Sequence, residues 1–301
     1  MKKSFIIILL GILILLLFSN CWLYVPETED IGGAADILYD GDYIAICRLS
    51  YKKNAGWVYL GEETTESVVG FVVHIIDVNT DEVYSEYLDA SGLSIPYGEY
   101  TEPSYIRKSD KNIYFLSWYL LDNYKYSLEN RTTLKPVKDT LFDNVENFFI
   151  SSDETEVIVL EVSYFKYFNR TTGETKEFNA GQECNDVNWD LGLTAGYSSE
   201  SNVYIGSFKT DSITYDVVEL SISNIRRLKW LNDVLLFKDY SNNIYKIEKI
   251  DTTWQETDEL EEKYYYMADD SSYINFEDGI INVYDKNDNL LKEYELEYMT
   301  Q

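Results

Sequence analysis

One histidine, three cysteines and 53 acidic side chains bound the chemistry open to this 301-residue chain. His74 lies inside the apolar run VVGFVVHII, which has strand character, so a Ser-His-Asp or Cys-His site would have to be built on that strand. The plainer reading is a packed histidine with a satisfied hydrogen bond. A single histidine and the lack of any CxxC pair argue against a zinc site of the usual type. Two stretches do place oxygen ligands at alternate positions, as hard cations require: Asp77, Asn79 and Asp81, and Asp285, Asn287 and Asn289. Both lack the glycine of an EF-hand loop (Glu82 and Leu290 stand there) and its closing glutamate (Leu88 and Leu296). They read first as hairpin turns in which Asp and Asn bond their own backbone, with calcium the one cofactor left open. Paired carboxylates suit glycan cleavage, but among 53 acids chance pairs are certain and the sequence does not choose one. There is no GxSxG, HExxH, phosphate-binding glycine loop or dinucleotide fingerprint.

The beginning of the chain speaks to location. Lys2 and Lys3 precede an unbroken apolar run over 5–18, the length of a signal-peptide core and short of the ~20 residues that span a bilayer. Ser19, Asn20 and Cys21 follow. The segment LLLFSNC resembles the lipobox of bacterial lipoproteins, with Phe18 where Leu is commoner and Asn20 where Gly, Ala or Ser is. The resemblance implies a signal peptide over 1–20 and lipidation of Cys21. It also implies an extracytoplasmic protein held to the membrane of the cell envelope by its lipid. Residues 21–35, with Pro26, Gly32 and Gly33 and no periodic apolar pattern, read as a short tether. The alternative is an uncleaved anchor over 5–25, and both place residues 22–301 outside the cytoplasmic membrane.

The chain holds 25 basic residues, for a net charge of −28. That balance repels nucleic acid and anionic headgroups. Hydrophobic residues at 45%, with 28 Tyr, 13 Phe and 6 Trp, argue against disorder.

From residue 36 onward the sequence reads as strand. The runs at 43–49, 68–76, 112–119, 156–164, 202–208, 233–239 and 279–285 are β-branched and aromatic, mostly bounded by turn-forming residues. Residues 255–266 come nearest to a helix and read as a loop with one helical turn. Turn markers at Asn79, Asn130, Thr171, Asp211, Asn242 and Asn287 run from 79 to 287 in five steps, about 42 residues each. Short strands and hairpins at that period predict an all-β chain with a single β-propeller of about six blades over 36–301. The alternative is two β-sandwich domains. Hairpins such as IIDVNTDEVYSEY and YFNRTTGETKEF resemble those of bacterial WD40-like and YncE-like propellers, without a repeated Trp-Asp dipeptide or kelch glycine pair. In a six-bladed ring Cys47 and Cys184 fall on opposite blades, too far apart for a disulfide. Trp118, Trp189 and Trp230 share a blade context, where they either fill the wedge between blades or stack on a sugar or peptide at the channel mouth.

The expected function is therefore a non-catalytic, envelope-anchored propeller that binds a protein or glycan partner or serves as a scaffold, and not a nucleic-acid binder. The alternatives are an extracytoplasmic polysaccharide-acting enzyme using Asp/Glu pairs, and a structural subunit of an envelope assembly complex.

Overall fold

The structure, a computed structural model, describes residues 22–25, 28–53, 56–59, 66–89, 95–96, 104–117, 123–131, 133–139, 141, 147–161, 164–179, 184–197, 201–210, 213–222, 224–268, 272–277 and 279–296. The signal-peptide segment 1–20, Cys21 and Trp118 lie outside these residues.

Among the described residues, six antiparallel sheets of three to five strands follow one another along the chain, with a further two-stranded sheet beside the first of them. Blade 1 comes after β1 (Trp22–Val25) and begins with β2 (Thr28–Tyr39) and β3 (Tyr43–Lys53). β4 (Gly56–Tyr59) turns back onto β1, and β5 (Glu66–Asp77) and β6 (Glu82–Asp89) complete the blade, with β7 (Ile95–Pro96) on β5 beyond the end of β6. Blade 2 is β8 (Ser104–Lys108), β9 (Asn112–Ser117), β10 (Tyr124–Ser127) and β11 (Lys135–Pro136). Blade 3 is β12 (Asn147–Ile150), β13 (Glu156–Glu161), β14 (Tyr164–Asn169) and β15 (Thr175–Asn179). Blade 4 is β16 (Asp186–Asn188), β17 (Leu193–Tyr197), β18 (Asn202–Ser207) and β19 (Tyr215–Glu219). Blade 5 is β20 (Ile225–Leu231), β21 (Val234–Asp239), β22 (Ile244–Ile250) and β23 (Thr253–Leu260). Blade 6 has three ladder strands, β24 (Tyr273–Glu277), β25 (Ile280–Tyr284) and β26 (Leu290–Glu295). A 3-10 helix, Glu262–Tyr266, and the single bridge Met267–Tyr273 stand where an inner strand would be.

The packing follows from the two-residue period of a strand. In β3, Ala45 and Cys47 face blade 2, whereas Ile44 and Ile46 face blade 6. In β12, Phe148 and Ile150 face blade 2 and Phe149 faces blade 4. Strands covered on both faces read as unbroken apolar runs for this reason. Phe71, Phe115, Phe148, Phe165, Phe208 and Phe237 are fully buried in these wedges. Each contributes about 1.5–3 kcal/mol relative to exposure. The last wedge joins the last blade to the first: Tyr39, Ile44, Ile46 and Ile76 pack on Ile274, Ile281, Val283 and Tyr294. The ring is thus closed by side chains, with no strand of one blade entering the other's sheet among the described residues.

The same four-residue turn joins the third and fourth strands of the first three blades. Asp81, Arg131 and Gly173 donate their N–H groups to the carbonyls of Asp77, Ser127 and Asn169, and all three have positive φ. Asp77 and Asn169 also accept two N–H groups each from the turn, and Ser127 accepts one. In the fifth blade the equivalent turn is at Asp251 and Thr252, so Asn242 marks the turn on the other side of the sheet.

Two segments differ from the sequence expectation. Residues 22–25 and 28–35, read as tether, are strand: their partners in β4 and β3 supply the ladders that a Gly-containing segment does not announce. Residues 255–260 continue β23 rather than forming a loop, because its exposed outer edge tolerates Glu and Asp; the helical turn follows at Glu262–Tyr266.

Candidate functional site

The inner strands of blades 1 to 5, with Tyr265 of the 3-10 helix, surround a central cavity of about 580 Å³. It reaches the end where the inner strands of blades 1 to 4 enter their first turn, where Asp40, Asp110, Ser152 and Trp189 border it. Charged side chains within it are held by the blades. Asp36, on β2, accepts the Ile106 N–H of blade 2 at 2.7 Å through one oxygen and the Arg227 guanidinium of blade 5 at 2.5 Å through the other. Arg227 thereby reaches across the place where blade 6 lacks its inner strand. Asp186 repeats the first of these contacts one half-ring away, accepting the Trp230 N–H of blade 5 at 2.6 Å. Burial raises the Asp186 carboxyl above the ordinary range, and Arg107 and that N–H pull against the rise. Lys229 donates to the carbonyls of Tyr265 at 2.9 Å and Met267 at 3.3 Å, tying blade 5 to the 3-10 helix.

Arg107 is fixed most fully. Its guanidinium lies 4.4 Å from the Phe149 ring centroid and 5.2 Å from that of Tyr105. Nε donates to the Phe148 carbonyl and a terminal nitrogen to that of Ile106. Arg226, on the same strand as Arg227, donates to the Asn242 carboxamide oxygen.

Trp189 and Trp230 both pack between blades and lie at the cavity. Trp189 also meets Phe208 edge to face at 5.4 Å, and Trp230 meets Trp254 edge to face at 5.6 Å inside the wedge of blades 4 and 5.

The two Asp/Asn stretches lie on the periphery. Asp77 Oδ1 accepts the N–H groups of Asn79 and Thr80 and Oδ2 accepts Arg131; Asn79 donates to Asp42. Asp81 accepts Lys292 at 2.6 Å and the Tyr294 hydroxyl at 2.8 Å, so this turn clasps blade 6 to blade 1. Asp285 accepts the N–H groups of Asn287 and Asn289 and the Asn289 carboxamide. These oxygens are engaged as turn and clasp acceptors, and among the described residues no three His, Cys, Asp or Glu side chains converge as a metal site.

His74 is buried, sharing a hydrogen bond of 2.7 Å between Nδ1 and the Ser85 hydroxyl, on the face of β5 turned to blade 6. Cys47 and Cys184 are in no disulfide and are buried in separate wedges. Glu154 plays the clasp role for blades 2 and 3, accepting Ser109, Asn112 and Tyr114.

The residues missing from the sequence reading are those of the channel: Asp36, Arg107, Asp186, Arg226, Arg227 and Lys229. Their one sequence signal is charge on a short strand just before a long apolar run, as in NIRRLKWLNDVLLF.

No protein-family model matches the chain, and no curated protein matches it. Solved structures that it resembles include the Cps50 (Swd1) β-propeller domain of Myceliophteria thermophila. That domain is 10% identical, with 89% of each chain covered and a TM-score of 0.48. A chain of a mitotic checkpoint complex is 11% identical over 92% of this chain and 93% of that one, at TM-score 0.44. The WD40 domain of SCAP from fission yeast is 9% identical over 64% of this chain and 55% of that one, at TM-score 0.36. At such values the likenesses speak to no partner or ligand. The six sheets and the wedge joining the last to the first make the chain a six-bladed β-propeller.

Proposed function

We propose that this chain is an exported lipoprotein, anchored to the cell envelope through Cys21, whose ring is a non-catalytic binding module that holds a protein or glycan partner at the mouth of its central channel. The observation that carries the reading is the channel itself: a cavity of about 580 Å³ bordered by Trp189, Trp230, Tyr105 and a set of basic residues. Its charged groups are held by one another and by backbone, an arrangement that fixes shape before a partner arrives.

Two experiments test the two halves. Intact-mass analysis of the membrane-extracted protein is expected to find a chain beginning at Cys21 and heavier by acyl groups. A full-length mass in both wild type and Cys21→Ala would replace the lipid by an uncleaved anchor. Envelope fragments captured by the wild type are expected to be lost in Trp189→Ala, and unchanged capture would remove the channel mouth from the reading.

A second reading, a polysaccharide-acting enzyme, draws on Asp186, whose carboxyl is raised by burial as a general acid's would be. Against it, one Asp186 oxygen is taken by the Trp230 N–H, and the Asp36 carboxylate is committed to Arg227 and Ile106. Turnover of envelope polysaccharide that disappears in Asp186→Asn would favour the enzyme.

A further inference from the structure

We infer that the central channel binds a small, singly charged anion, a carboxylate carried on a sugar ring; this rests on the channel being the recognition site. The chain carries −28, yet Arg107, Lys108, Arg226, Arg227 and Lys229 all border this cavity, beside the acids Asp36, Asp40, Asp110 and Asp186. A fifth of the 25 basic residues thus stand around one cavity, with four of the 53 acids. The local balance is opposite in sign to that of the chain, and low-dielectric walls sharpen such a difference. Two ion pairs, Asp36 with Arg227 and Asp40 with Lys108 at 2.6 Å, engage two groups of each sign, and the excess of one basic group remains when they are set aside.

The remaining features narrow the ligand. Arg107 sets a positive charge at the cavity, immobilised against Tyr105 and Phe149 and by its bonds to the Phe148 and Ile106 carbonyls, so that charge needs no ordering when a carboxylate arrives. Trp189 stands at the border, and an aromatic side chain there suits the apolar side of a pyranose ring. A cavity of about 580 Å³ accommodates one or two sugar units. The field of the whole protein sets the total charge: a polyanion must approach against −28, whereas a single carboxylate meets little of that repulsion.

The test is a titration of the full chain with glucuronate, glucose and glucose 6-phosphate, read by tryptophan emission and calorimetry at low and high salt. Glucuronate is expected to bind at least about tenfold more tightly than glucose, with affinity falling as salt rises and falling about tenfold again in Arg107→Gln. Arg226→Gln, on the cavity border and away from the Arg107 packing, is a second variant expected to weaken binding. Equal affinity for glucose and glucuronate would overturn the charge inference and leave the channel-mouth reading standing. Tighter binding of the phosphate would overturn the single-charge assignment. No binding of any of the three would overturn the inference outright, while Trp189-dependent capture of envelope fragments would still support a binding mouth of other chemistry.

Discussion

Acid is expected to weaken the contact between blades 6 and 1 through His74. This side chain is 1% exposed, its Nδ1 is bonded to the Ser85 hydroxyl, and its Nε2 has no hydrogen-bond partner among the described residues. Burial, with the charge of buried Arg48 adding to it, lowers the imidazole from its ordinary 6.5 to about 4. The unfolded chain therefore takes up a proton near pH 6.5 that the folded ring refuses until about pH 4. Stability contributed by the neutral histidine is complete above pH 6.5 and is lost as pH falls toward 4. At ~1.4 kcal/mol per pH unit, that window amounts to about 3 kcal/mol. Urea denaturation of the wild type and of His74→Gln, run from neutral pH to pH 4, measures it. Gln keeps a polar group toward Ser85 but takes up no proton. The wild type is expected to lose about 3 kcal/mol more than the variant across the window. Carboxylates common to both proteins, Asp81, Asp285 and Asp288 among them, cancel in the difference. Parallel losses in the two proteins would refute the reasoning.

Other outcomes follow from the same packing. Asp36→Ala is expected to cost about 3 kcal/mol, because it leaves the mostly buried Arg227 and the Ile106 N–H without their acceptor. A double-mutant cycle with Arg227→Ala should return strong coupling, and additivity would deny the cross-channel pair. Trp230→Ala should destabilise by about 3–5 kcal/mol through the wedge of blades 4 and 5, and Trp189→Ala by clearly less, as thermal melts will tell. Cys47 and Cys184 should resist a thiol reagent in the native protein and react once denatured, since both are buried and burial raises the Cys184 thiol. Rapid native labelling of either would contradict the wedge packing.

The period was legible because it is written in turn chemistry. Asp77, Ser127 and Asn169 cap their own turns, and the positive φ four residues later is met by Asp81, Arg131 and Gly173. Local bonds of that kind leave a local trace. Asn242 misleads because it also has positive φ, in a turn on the opposite side of blade 5. The inner strands leave little trace. β16 has three residues, and which of them faces the axis is set by neighbouring blades rather than by its own pattern. Hence Arg107, Asp186 and Arg227 became visible only together, whereas Trp189 and Trp230 stood out by residue type. The acidic outer strand β23 hid for a related reason: edge charge that discourages pairing looks like loop composition.

Closure of the ring by side chains bears on the order in which the chain folds. Tyr39 bonds Ser272, 233 residues away, and Lys292 reaches the Val78 carbonyl, 214 residues away. Loop entropy grows only as the logarithm of length, so bringing such ends together costs about 1.5 kcal/mol more than joining neighbouring blades. The cost is modest, but it is met late. Blades 1 to 5 can assemble pairwise as each successor arrives, whereas the seam waits for the last strands of the sequence. Until then Ile44, Ile46 and Ile76 lack their cover, and the first blade is the part of a nascent ring most open to aggregation.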